Sequence, residues 1–208
     1  IAEYNGRIGL ITRLLLERAL ADAAAWPDNV FLSFNLSPHD LVTIEGVMRL
    51  IGIVEDSGFN PRRITFEITE TAVMSDFEQA STAIHLLRQL GCGIALDDFG
   101  TGYASLSYVH RLPLSKIKVD GSFVSEIHRR GTSFKIVKSV LSLCTEMGLE
   151  AIVEGVEAET ELVILEELGV QTVQGFLFAR PMKAGEAEAF LQEEAVATLP
   201  VQKIRQRS

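Results

Sequence analysis

Six short apolar segments of this chain each run into a polar or charged residue. They are Asn35 in 31–37, Glu67 in 64–68, Asp97 and Asp98 in 94–98, Lys118 in 116–120, Glu154 in 151–154 and Gln174 in 172–175. Successive side chains of a strand point to opposite faces. Leu32, Phe34 and Leu36 therefore share one face while Ser33 and Asn35 share the other, and Ile64, Phe66 and Ile68 oppose Thr65 and Glu67 in the same way. One such residue is an edge accident. A set of them, one per strand and near each C-terminal end, is the pattern of the active face of a β/α barrel.

Between these segments the apolar residues recur at helical spacing. Helices are predicted over 8–25, where Ile11, Leu14, Leu15 and Arg18 align, and from Ser37-Pro38 to about Gly58, with a stripe of Leu41, Ile44, Met48 and Ile51. Others follow through Phe77, Ala80, Ile84 and Leu87 up to Gly91, through Ile136, Val137, Val140 and Cys144 up to Gly148, over 158–168 with Gly169 as C-cap, and over 184–195. Strands are predicted at 31–36, 64–69, 93–97, 115–119, 150–154 and 171–177. Strict alternation of strand and helix implies a parallel sheet with helical crossovers. Six strands are fewer than the eight of a closed barrel. The sheet is then either open and doubly wound, or a TIM-like α/β barrel whose first two strands lie outside this chain. Polar residues on the inner face of every strand favour the barrel, because central strands of an open sheet are covered by apolar helices on both sides.

A length of 208 residues suits one domain, expected over 1–195, with 196–208 a flexible polar tail. The net charge of −9 leaves no electrostatic footprint for duplex DNA or RNA. An acidic protein that handles an anionic substrate needs cations to mediate the contact. Cys92 and Cys144 lack metal-ligand spacing and read as small buried hydrophobes in a reducing, cytoplasmic setting. No segment has the length or apolarity of a membrane span, and the start lacks the pattern of a secretory signal. A membrane anchor elsewhere in a longer protein stays compatible with this.

Asn35, Glu67, Asp97, Asp98 and Glu154 offer oxygen donors to one mouth. Crowded carboxylates repel unless protonated, paired or metallated. Hard oxygen donors suit Mg²⁺, Mn²⁺ or Ca²⁺ rather than zinc. Adjacent Asp97 and Asp98 can serve two ions, one bridging and one terminal, the arrangement that clamps a phosphoryl displacement. Lys118 can hold a nucleophilic water or offset phosphate charge. Taken singly, each residue has a blander reading: Glu67 as a solvated strand end, the Asp pair as turn or cap residues, Lys118 as a surface lysine. His39, His85, His110 and His128 lack ligand spacing.

The motifs Asn35-Leu36-Ser37, Phe66-Glu67-Ile68-Thr69-Glu70, Asp97-Asp98-Phe99-Gly100-Thr101-Gly102-Tyr103-Ala104-Ser105-Leu106, Lys116-Ile117-Lys118-Val119-Asp120, Val153-Glu154-Gly155-Val156-Glu157 and Gln174-Gly175-Phe176-Leu177 closely resemble the EAL family of cyclic-di-GMP phosphodiesterases. The resemblance implies a β/α barrel and a two-metal site for Mg²⁺ or Mn²⁺; Ca²⁺ is expected to inhibit, because its longer bonds and looser geometry would misplace a water aimed at phosphorus. The resemblance also implies Asn35, Glu67 and Asp97 as ligands of one ion, Asp97 bridging to a second, and Asp98 as a ligand of that second ion. Lys118 then orients the attacking water, Glu154 is a metal ligand or general base, and Gln174 positions the water network. Glu70 anchors the loop from Asp98 to Leu106, in which Phe99, Gly100, Thr101, Gly102 and Tyr103 serve substrate and dimer contacts. The implied activity is hydrolysis of cyclic di-GMP to linear pGpG by a homodimer, attached to sensory or GGDEF-type domains. The alternatives are an inactive cyclic-di-GMP receptor and a regulatory dimerisation scaffold. The Glu-x-Leu motif that names the family, with its following Arg, is absent and is expected upstream of Ile1, on the two strands that six leave unfilled.

Overall fold

A computed structural model describes residues 8–100 and 109–196. Expectations for Thr101, Gly102 and Tyr103, and for the tail from 197 onward, lie outside the described residues. By internal contacts the chain forms two compact units, residues 1–96 with 102–114 and residues 97–101 with 115–208.

The first unit opens with α1 (Ile8–Ala23), which buries Thr12, Leu16, Leu20 and Ala23 at i, i+4 spacing with one shorter step. Strand β1 (Leu32–Asn35) pairs in parallel with β2 (Ile64–Thr69), in a register that sets Asn35 against Glu67. Parallel pairing demands a crossover, and two helices supply it, α2 (Pro38–Leu41) and α3 (Ile44–Ser57). Arg63, just before β2, donates to the carbonyls of Trp26, Pro27 and Val30 and lies over the Phe59 ring. It thereby ties the approach to β1 onto the start of β2. After β2 come α4 (Glu70–Ser75), α5 (Phe77–Leu90) and the beginning of β3 (Gly93–Phe99).

The second unit takes the end of β3 and then β4 (Lys116–Val119), α6 (Thr132–Met147), β5 (Glu150–Val153), α7 (Glu159–Glu167), β6 (Thr172–Val173) and α8 (Ala184–Val196). Strand β5 pairs in parallel with both β4 and β6. Hydrogen bonding orders the strands as they occur in the chain, β1 to β6. A doubly wound sheet reverses its strand order at a switch point, and this order never reverses. The order is that of a β/α barrel rather than a doubly wound sheet.

Both faces of β2 are buried. Ile64, Phe66 and Ile68 are inaccessible, yet Thr65 and Glu67 on the other face are also only 5% exposed. Phe66 meets Phe34 edge to face at 6.3 Å. Cys92 and Cys144 are buried free thiols, and burial pushes each up to about 11, which keeps them protonated and unreactive. No described helix is long and apolar enough to cross a membrane.

Three sequence expectations need correction. The helix expected from Pro38 to Gly58 is broken at Val42–Thr43, where the Thr43 hydroxyl accepts from Gly46 N–H and starts a new helix. A stripe counted through from Leu41 therefore loses phase: Leu41 and Ile51 are buried as expected, but Ile44 and Met48 are exposed, and Val47, Leu50 and Val54 are buried in their place. The helix expected to end on Gly169 has Leu168 as its C-cap, and Gly169 (φ 81°) is the left-handed residue that follows. The strand expected over 171–177 stops at Val173. Beyond it Gln174 and Leu177 bond across to Val156 in the loop after β5, so the chain leaves the ladder.

Candidate functional site

In an unbroken strand Asp97 and Asp98 would point to opposite faces. Asp98 instead adopts φ 54°, a left-handed conformation rare outside glycine, and its N–H donates to Asp97 Oδ1 at 3.0 Å. The turn ends the alternation, and both carboxylates reach the same place. One oxygen each from Asp97, Asp98 and Glu154 lie within 4.8 Å of one another. Backbone strain of this kind persists where the surroundings enforce it, and it concentrates at functional sites.

Lys118 fills the same cluster from β4. Its ammonium lies 3.1 Å from Asp97 Oδ1 and 2.8 Å from Glu154 Oε1, and the residue is 4% exposed. Desolvation and then the charges of Asp97 and Asp120 push the Asp98 carboxyl up, while Lys118 pulls it back. Asp120, two residues after Lys118, is thus a charge of this cluster that the sequence reading passed over. Its period-2 spacing from Lys118 was the available signal.

Glycines set the backbone that carries these groups. A Cβ on Gly155 (φ 69°) would fall 2.7 Å from Gly121 Cα, and a Cβ on Gly121 would fall 3.0 Å from Gly155 Cα. The loops after β4 and β5 therefore touch backbone to backbone, directly beside Asp120 and Glu154. A Cβ on Gly175 would fall 2.0 Å from the Val156 carbonyl oxygen, so the loop after β6 joins the same seam. The legible sign is a glycine one step after each polar strand end: Asp120-Gly121, Glu154-Gly155 and Gln174-Gly175. Gly155→Ala should cost about 1–3 kcal/mol, from the left-handed φ together with the lost approach. Denaturant melts measure it, and an unchanged midpoint would show that the seam can open freely.

The remaining expected residues are placed as follows. Asn35 is the exposed last residue of β1, and Glu67 is buried opposite it, with Leu36 N–H donating to the Glu67 carbonyl at 2.9 Å. Glu70 is buried in the first turn of α4, which Thr69 caps by accepting from Ala72 N–H. Gln174 is exposed just past β6, its N–H donating to the Val153 carbonyl at 2.9 Å. Phe99 is buried, and Gly100 (φ 98°) sits against the Phe123 ring, where a Cβ would fall 3.0 Å from Cε2. The structure thus gathers Asp97, Asp98, Lys118 and Glu154 in the second unit and pairs Asn35 with Glu67 in the first.

The EAL domain family model matches residues 1–181. Cyclic di-GMP phosphodiesterase NbdA of Pseudomonas aeruginosa is 33% identical over 92% of this chain and 25% of its own length. The solved PaMucR phosphodiesterase in complex with c-di-GMP superposes with a TM-score of 0.84 at 32% identity, covering 89% of this chain and 77% of that one. Klebsiella pneumoniae BlrP1 in a manganese and cyclic-di-GMP complex gives 0.76 at 36% identity, over 83% of this chain and 45% of that one. The chain belongs to the EAL domain family, and its α/β fold is the TIM-like barrel of that family. It spans between 22% and 28% of the length of several curated relatives that it matches.

Proposed function

We propose that this EAL domain is a metal-dependent phosphodiesterase that hydrolyses one 3′–5′ bond of cyclic di-GMP to linear pGpG. The observation that carries the reading is the gathering of oxygens from Asp97, Asp98 and Glu154 within 4.8 Å of one another, with the buried Lys118 ammonium paired to Asp97 and Glu154. Among the described residues three carboxylates gather beside the Lys118 ammonium, and the Asp120 charge also acts on Asp98. All donors are hard oxygens. The set fits divalent Mg²⁺ or Mn²⁺. Relatives named as cyclic di-GMP phosphodiesterases and neighbours solved with manganese or calcium and the dinucleotide support the same choice.

Asn35, Glu67 and Asp97 would hold one ion, with Asp97 shared to a second held by Asp98, and Glu154 completes the shell or takes the proton of the attacking water. Bound ions would lower the pKa of that water and neutralise charge on the phosphate oxygens. Lys118 stands where its ammonium can orient the water between Asp97 and Glu154. Gln174 supports the water network from the end of β6. Glu70 anchors the loop that runs through Phe99, Gly100, Thr101, Gly102 and Tyr103, and that loop serves substrate and the contacts of a homodimer. The relative MucR, named as a bifunctional diguanylate cyclase and phosphodiesterase, supports a GGDEF-type module beside this one in a longer signalling protein.

Metal exchange tests the reading. The complete protein should consume cyclic di-GMP with Mg²⁺ or Mn²⁺ and stop with a chelator. Calcium should support turnover about tenfold or more slowly, because its longer, looser bonds misplace a water aimed at phosphorus. Equal rates in calcium and magnesium would count against an in-line, two-metal geometry. Binding of the dinucleotide without loss in any metal would make the domain a receptor, and no binding at all would make it a scaffold.

A further inference from the structure

Lys118 is placed unlike a residue whose only partner is a water. It is a cation only 4% exposed, and its ammonium contacts Asp97 Oδ1 at 3.1 Å and Glu154 Oε1 at 2.8 Å. Both carboxylates belong to the cluster proposed above as the metal site, so the lysine and a divalent ion draw on the same pair of acids. Burying an ammonium is unfavourable unless its charge is matched, and these acids match it. Three crowded carboxylates repel one another, and the ammonium offsets part of that repulsion when no metal is present.

We propose that Lys118 is the cluster's internal counter-ion, and that it sets the metal affinity of the domain by competing with the ion for Asp97 and Glu154. The proposal rests on the metal-dependent reading. A positive charge fixed among the donors pre-organises the metal-free site and simultaneously opposes the incoming cation, so it weakens binding while keeping the acids together. Removing it should have crossed consequences. The metal-free protein loses the offset to acidic repulsion and melts lower. The metal-binding protein loses a competitor and binds more tightly. A lysine that served packing alone would lower the melting temperature without tightening metal binding.

The test is calorimetric titration of Mn²⁺ and of Mg²⁺ into the metal-free complete protein and its Lys118→Met variant, which keeps the stem and removes the charge. Melting curves are recorded with and without metal, and Lys118→Gln serves as a second uncharged side chain. The expected result is an affinity tightened by about tenfold or more in either variant, together with a lower metal-free melting temperature. Unchanged or weaker binding in a folded variant would overturn this inference alone. No binding by the unsubstituted protein would overturn it together with the metal-dependent reading. Should neither variant fold, the wild-type protein decides: the ¹⁵N resonance of the Lys118 ammonium should move on saturation with Mg²⁺, and a resonance indifferent to metal would sink the proposal.

Discussion

Asp97→Asn is expected to lower turnover of cyclic di-GMP by about 10³-fold while leaving the fold intact, a loss on the scale of removing one group that stabilises developing charge. Asp97 takes part in the contacts that define the cluster, the Lys118–Glu154 pair excepted. It accepts from Asp98 N–H, pairs with Lys118 and contributes an oxygen to the group shared with Asp98 and Glu154. The asparagine carbonyl can keep the hydrogen bond from Asp98 N–H, so the left-handed turn survives. It cannot supply the charge that a shared ligand of two ions requires. Stability should be unchanged or higher, because the substitution removes one of the charges that pushes the Asp98 carboxyl up. A melt beside a hydrolysis assay checks both halves, and near-normal turnover would remove Asp97 from the site.

Lys118→Ala should lower kcat by about 10²-fold at saturating metal with KM little changed, since an interaction gained only in the transition state shows in kcat. Its ammonium lies between Asp97 and Glu154 and is 4% exposed, a position suited to a water among those acids rather than to a dinucleotide arriving from solvent. Measurement at several metal concentrations separates this loss from any change in metal affinity. Should KM rise and kcat hold, Lys118 is a phosphate contact instead.

The strands were legible wherever burial alternates or saturates over several residues. Strand β2 matches its expected span of 64–69, and β4 differs by one residue, because Ile64, Phe66, Ile68 and Ile117 are apolar anchors that fix the register. Polar residues at strand ends were legible for the same reason. What escaped was backbone conformation. The left-handed turn at Asp98 leaves no mark in a hydrophobic pattern, yet it brings two adjacent acids to one place. The contact of Gly121 with Gly155 joins residues 34 positions apart, which no local period can report. The restart of the helix at Thr43 was missed because apolar residues continue across it, and only the hydroxyl cap betrays the break. The short β6 was overrun because Phe176, Leu177 and Phe178 are as apolar as a strand, whereas Gly175 turns the chain onto Val156.

The most direct measurement incubates the complete protein with cyclic di-GMP and Mn²⁺ in ¹⁸O-labelled water and weighs the product. The expected outcome is linear pGpG carrying one ¹⁸O on its terminal 5′-phosphate, formed only with metal, as attack of water on phosphorus with departure of the 3′-oxygen requires. Intact cyclic dinucleotide after saturation of the protein with metal and ligand would contradict it.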